Sequence, residues 1–163
     1  MIESRIRNLI GDALFEAPGD GSVVSLNCSG FFVAIECDLC ATTIDFIVWF
    51  IVDGDARPDL VKLAAQGRLH DPVCSHCGHV GHLESHLLLL RRDQEPALLF
   101  SPARASREKS HSSEIAQFVA RLQRRMGNEW DERWVTHRGT TAVAEVDRSM
   151  LPVVLDAGSS PAR

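Results

Sequence analysis

Four of the five cysteines in this 163-residue chain stand in two pairs, Cys37-Asp-Leu-Cys40 and Cys74-Ser-His-Cys77, giving the pattern C-x2-C-x33-C-x2-C. Two residues between cysteines allow a tight turn that aims both sulfurs at one cation, and amides in such a turn donate to the thiolates and lower their basicity. Two such knuckles brought together by a sheet supply four thiolates. That is a closed tetrahedral site through Cys37, Cys40, Cys74 and Cys77, with zinc as the expected metal. The same four ligands would serve iron in a rubredoxin-like site. Redox thiols are disfavoured, because a redox Cys-x-x-Cys opens a helix whose N-terminus depresses one thiol pKa, and β-rich sequence follows both pairs here. A zinc deaminase fails on register: Pro72-Val73-Cys74 does not form Pro-Cys-x-x-Cys, and His82-Leu83-Glu84 lies on its wrong side.

His76, His79, His82 and His86 crowd around the second pair. In a strand starting at Val80, even spacing puts His82, Glu84 and His86 on one solvated face rather than around a second metal. His79 is placed either to replace a cysteine ligand if one is lost or to donate to a thiolate. Cys28 is expected to be a buried apolar thiol. Other chemistry is thinly represented. The chain has no glycine-rich phosphate loop, no Gly-x-Ser-x-Gly and no His-Glu-x-x-His, and four thiolates on one zinc leave no position for water. An enzyme would need a site the sequence does not advertise.

The elements that must position the cysteines follow from the apolar pattern. Ile2, Ile6, Leu9, Ile10 and Phe15 suggest a short helix ended by Pro18-Gly-Asp-Gly21. Val23 to Ala34 reads as a strand or hairpin broken at Ser29-Gly30, and Ala41 to Val52, rich in β-branched and aromatic residues, as a strand. Pro58 to Gln66 reads as a helix with Pro58 in its first turn and Gly67 at its end. Strands are expected near Cys74, from Val80 to Leu90 and from Ala97 to Phe100. Residues 101–113 read as a flexible connection. Ile115, Phe118, Val119, Leu122, Met126 and Trp130 then recur at helical spacing, predicting about five turns by the 3.6-residue period. The resulting division is a metal-binding unit with an N-terminal helix over 1–102, a basic connection and helix over 103–137, and a weakly structured tail over 138–163.

Composition bounds the remainder. Hydrophobic residues at 45% and charged residues at 24% exclude disorder as the main state, and one core is expected at this length. The start of the chain mixes charge into its apolar residues and does not read as a secretory signal, and no apolar run reaches membrane-spanning length. The expectation is a soluble cytoplasmic protein with reduced thiols.

The stretch from Glu36 to Pro102 resembles the CpXC family of bacterial and archaeal proteins. Cys37 and Cys40 match the first family motif, Ile44 to Gly67 the insert with its short helix, and Cys74-Ser-His-Cys-Gly-His79 the second motif. His82 to Leu90 and Ala97 to Phe100 look like the closing hairpin. Asp38 and Ser75 stand where the family has proline, and Ala41 where glycine would follow the second cysteine. The resemblance implies an α+β fold: a zinc-ribbon-like antiparallel sheet with a helical insertion between the knuckles, here followed by a long C-terminal amphipathic helix. It strengthens the case for a metal and implies no substrate.

A net charge of −5 disfavours a globally basic nucleic-acid binder, yet the segment 91–138 holds ten basic and seven acidic residues. Arg121, Arg124 and Arg125 on its helix could meet phosphates, which makes nucleic-acid binding the alternative to a protein-interaction or regulatory role. Were that helix to project, its apolar stripe would suit a partner or a second copy.

Overall fold

The computed structural model describes residues 22–103, 110–137, 140–141 and 143–158. The N-terminal helix expected over Ile2–Phe15 and residues 104–109 of the expected flexible connection lie outside them. In chain order the elements are β1 (Ser22–Ser25), β2 (Cys28–Glu36), β3 (Thr43–Asp53), α1 (Pro58–Ala65), β4 (Leu87–Leu90), β5 (Leu98–Ser101), α2 (Ser112–Met126), β6 (Thr136–His137), β7 (Thr140–Thr141), β8 (Ala144–Glu145) and α3 (Leu151–Gly158). A six-stranded sheet in the order β1-β2-β3-β4-β5-β8 forms the centre, and β6 and β7 pair separately.

The sheet is mixed, which corrects the antiparallel expectation. β1, β2 and β3 form an antiparallel meander, but β4 joins β3 in parallel and β8 joins β5 in parallel. The reason is α1, which carries the chain back so that β4 runs beside the last residues of β3. Parallel strands need such a crossover, and covering both faces demands apolar residues at every position. Leu87-Leu-Leu-Leu90 meets that demand, each leucine being buried. Leu88 and Leu90 pack towards α2 with Phe100, Phe118, Leu122 and Met126. Leu87 and Leu89 pack towards α1 and α3 with Leu60, Ala64, Leu151 and Leu155.

A bulge adjusts β3 to both layers. Ser29 faces Ile51 but Gly30 faces Trp49, leaving Phe50 as the extra residue. Phe50 and Ile51 therefore both turn to the α2 side, while Trp49 and Val52 turn to the other. Only glycine fits at position 30, where a Cβ would lie 2.9 Å from the Val48 carbonyl oxygen.

Helix α1 spans Pro58–Ala65 with proline in the first turn, as its sequence predicts, and Gly67 follows at φ 69°. The amphipathic helix differs from its prediction. It occupies 15 residues, ends where Gly127 adopts φ 54°, and is not the C-terminal element. That element is α3, only eight residues long. The segment 138–163 is also not a bare tail: β8 extends the sheet, and Leu151 and Leu155 enter the core. The strand expected from Val80 is confined to Leu87–Leu90, and residues before it hold only an isolated bridge between Val73 and Val80. No described helix is long and apolar enough to cross a membrane.

Candidate metal centre

Each cysteine pair sits on a turn, and the two turns share one geometry. In the first, at the tip of the β2–β3 hairpin, Cys37 N–H donates to the Thr42 carbonyl at 2.9 Å and Ala41 N–H to the Cys37 carbonyl at 2.9 Å. In the second, Cys74 N–H donates to the His79 carbonyl at 2.8 Å and Gly78 N–H to the Cys74 carbonyl at 2.9 Å. The turn closes because the residue after each second cysteine has positive φ, 56° at Ala41 and 74° at Gly78. Glycine takes this conformation freely, whereas alanine does so at a cost of about 1 kcal/mol or more.

The sulfurs of Cys37, Cys40, Cys74 and Cys77 lie within 4.8 Å of one another. Two approaches cross between the turns, 3.6 Å for Cys37 to Cys77 and 3.6 Å for Cys40 to Cys74. A disulfide needs about 2.05 Å. Four sulfurs around a zinc ion at about 2.3 Å stand about 3.8 Å apart. The donor set therefore fits one metal ion shared by both turns. Cys37 and Cys74 are buried, Cys40 is half-buried and Cys77 is exposed.

Charge is distributed unevenly over the four thiols. The Thr42 hydroxyl, 3.2 Å from Cys40 Sγ, and the Thr42 amide hold the Cys40 thiol down to about 6. At Cys77 the His79 amide also favours the thiolate, but desolvation and the neighbouring sulfurs prevail and push it up to about 12. Four clustered thiolates repel one another, so a bound cation is what allows all of them to ionise together. Thr42 and His79 hold matching positions, two residues beyond each second cysteine. The histidine was expected as a thiolate donor, and its backbone rather than its ring fills that role; the threonine was not expected.

The remaining histidines do not form one solvated face. His82 is exposed and bonds Asp71 at 2.6 Å, whereas His86 stacks on Phe100 at 5.5 Å and accepts from the Ala103 amide at 3.1 Å. His70, which the sequence did not single out, is buried between the Trp49 carbonyl at 2.6 Å and Arg148 at 2.9 Å. Arginine has no acceptor, so Nδ1 of His70 receives the Arg148 bond and Nε2–H donates to Trp49. Cys28 is fully buried and burial raises its thiol pKa.

The arginines of α2 do not act as a group. Arg121 folds inward with its guanidinium 5.0 Å from the Phe50 ring centre, leaving Arg124 and Arg125 outside. Phe118, Leu122 and Met126 are buried on the sheet.

Two matched Cys-x-x-Cys turns on an α+β scaffold thus bring four sulfurs into one cluster able to hold a metal ion. The CpXC protein family matches the chain over residues 35–150, and the chain belongs to that family. The match extends well past Pro102 and takes in α2 and β8. No curated protein and no solved structure matches the chain.

Proposed function

We propose that the metal is zinc, that its role is structural, and that the chain is a protein-interaction or regulatory module of the bacterial cytoplasm. The observation that carries the proposal is the closure of one site by sulfurs from distant parts of the chain. Cys37 and Cys40 end one hairpin, Cys74 and Cys77 lie beyond α1, and all four sulfurs fall within 4.8 Å. Such a donor set joins the hairpin to the loop before β4 and leaves no ligand position for substrate. A reduced compartment suits thiols that must remain free to bind.

The face of α2 available to a partner is its outer one, where Gln117, Ala120, Arg124 and Arg125 are exposed. Its two arginines suit an acidic protein surface. Nucleic-acid binding loses support because Arg121 is engaged with Phe50.

Elemental analysis of protein purified without added metal tests the first part. The expected result is one zinc per chain, and a coloured iron protein would overturn it. For the second part, a partner captured by the wild type should be lost with Arg124→Glu/Arg125→Glu; retention would remove this face from consideration.

A further inference from the structure

Strands β3 and β4 run in parallel and end side by side, with Gly54 N–H donating to the Leu90 carbonyl at 2.8 Å. Beyond their carboxyl ends, at the end of β3 away from the first knuckle, lies a cavity of about 280 Å³. The crevice outside the carboxyl ends of parallel strands is where open sheets commonly bind ligands. One wall is apolar, made by Pro58 and Val61 of α1 and Leu155 of α3, and the other is the turn from Arg91 to Gln94.

The two arginines of that turn are in different situations. Arg92 meets Asp53 at 2.5 Å and Glu129 at 3.5 Å. Arg91 donates from Nη2 to the Pro96 carbonyl at 3.1 Å, and its Nε is buried without an acceptor. No described carboxylate acts on its charge, and burial alone moves its pKa down. A partly buried guanidinium met by one carbonyl lacks a counterion, and a carboxylate matches its planar fork. Asp55 and Asp93 border the same cavity, so a multiply charged anion would be repelled.

We propose that this cavity binds a small aliphatic carboxylate, with its charged end on Arg91 and its hydrocarbon against Pro58, Val61 and Leu155. The volume lies just below the range of drug-sized ligand sites and holds a small carboxylate such as butyrate with room to spare.

Titration of the metal-loaded protein with butyrate, followed by the backbone amide NMR shifts of Gly54, Val61 and Leu155, tests this. Butyrate should give saturable shifts, and inorganic phosphate should give none over the same range. Arg91→Gln should weaken butyrate at least about tenfold, the loss of one charged hydrogen-bonded contact. Val61→Glu, which sets a carboxylate into the apolar wall, should weaken it similarly. Shifts that never saturate, phosphate binding as well as butyrate, or full affinity in a folded variant would each overturn the proposal.

Discussion

Ala41 and Gly78 are equivalent residues: each follows the second cysteine of its pair, each has a left-handed backbone, and each N–H closes on the carbonyl of the first cysteine at 2.9 Å. One position is filled by the residue that suits it and the other is not. A Cβ at Gly78 would touch nothing within 4 Å, so the effect of a side chain there is backbone strain alone. Glycine also has the more flexible unfolded chain, which offsets part of the strain. Ala41→Gly should raise stability and Gly78→Ala lower it, by about 0.5 to 1 kcal/mol each. Urea unfolding of the metal-loaded protein should show midpoints shifted in opposite directions at unchanged slope. Shifts of the same sign would mean that the two turns are not equivalent.

Removal of the metal should have a larger effect than either glycine exchange. The four sulfurs link the β2–β3 hairpin to the loop before β4, and binding free energy at such a centre is folding free energy. A chelator should lower the melting temperature by about 10 °C or more, and re-addition of zinc should restore it. Cys74→Ser should lose both the bound metal and the response to chelator. An unchanged melting curve for that variant would separate the cysteines from stability.

The cysteine spacing, the apolar run of β3 and the proline and glycine around α1 are local signals, and they located the four-cysteine cluster and the elements beside it. The parallel pairing of β4 was not legible, because Leu87-Leu-Leu-Leu90 satisfies a buried strand in either direction. The alternation of His82, Glu84 and His86 imitated a strand face. The Leu83 amide instead bonds the His70 carbonyl at 2.8 Å, a partner fixed by the loop and absent from any local pattern. Helix α3 is short and owes its place to Leu151 and Leu155 packing with Leu60 and Ala64. Arg148 and His70 are 78 residues apart in sequence, and nothing local connects them.

The Asp53–Arg92 pair should be among the costlier contacts to break. Asp53 is fully buried. Burial opposes its charge, but hydrogen bonds from Arg92 and Asn27 prevail and hold its carboxyl below the usual range. Arg92→Met leaves that carboxylate without its cation and should cost about 3 to 5 kcal/mol. The double variant Asp53→Asn/Arg92→Met should be less damaged than the sum of the single variants, because neither charge remains unpaired. Additive losses in denaturant unfolding would show that the two side chains act independently.

Buried His70 gives the protein a pH dependence of definite sign. Burial, with Arg148 nearby, holds its pKa down to about 3, so the folded protein keeps it neutral. In the unfolded chain it titrates near 6.5. Between these values the unfolded state binds more protons, and stability therefore falls as pH falls, by about 1.4 kcal/mol per unit once well below 6.5. Metal binding by thiolates also weakens in acid, which makes the comparison with His70→Asn the informative one. At pH 7.5 this variant should be less stable than wild type by about 1 to 3 kcal/mol, because it removes a buried hydrogen bond to the Trp49 carbonyl or the one from Arg148. As pH falls from 6.5 to 5 the gap should narrow, since only the wild type pays the cost of keeping His70 neutral. A gap that stays constant across this range in urea unfolding would show that His70 takes up its proton inside the folded protein.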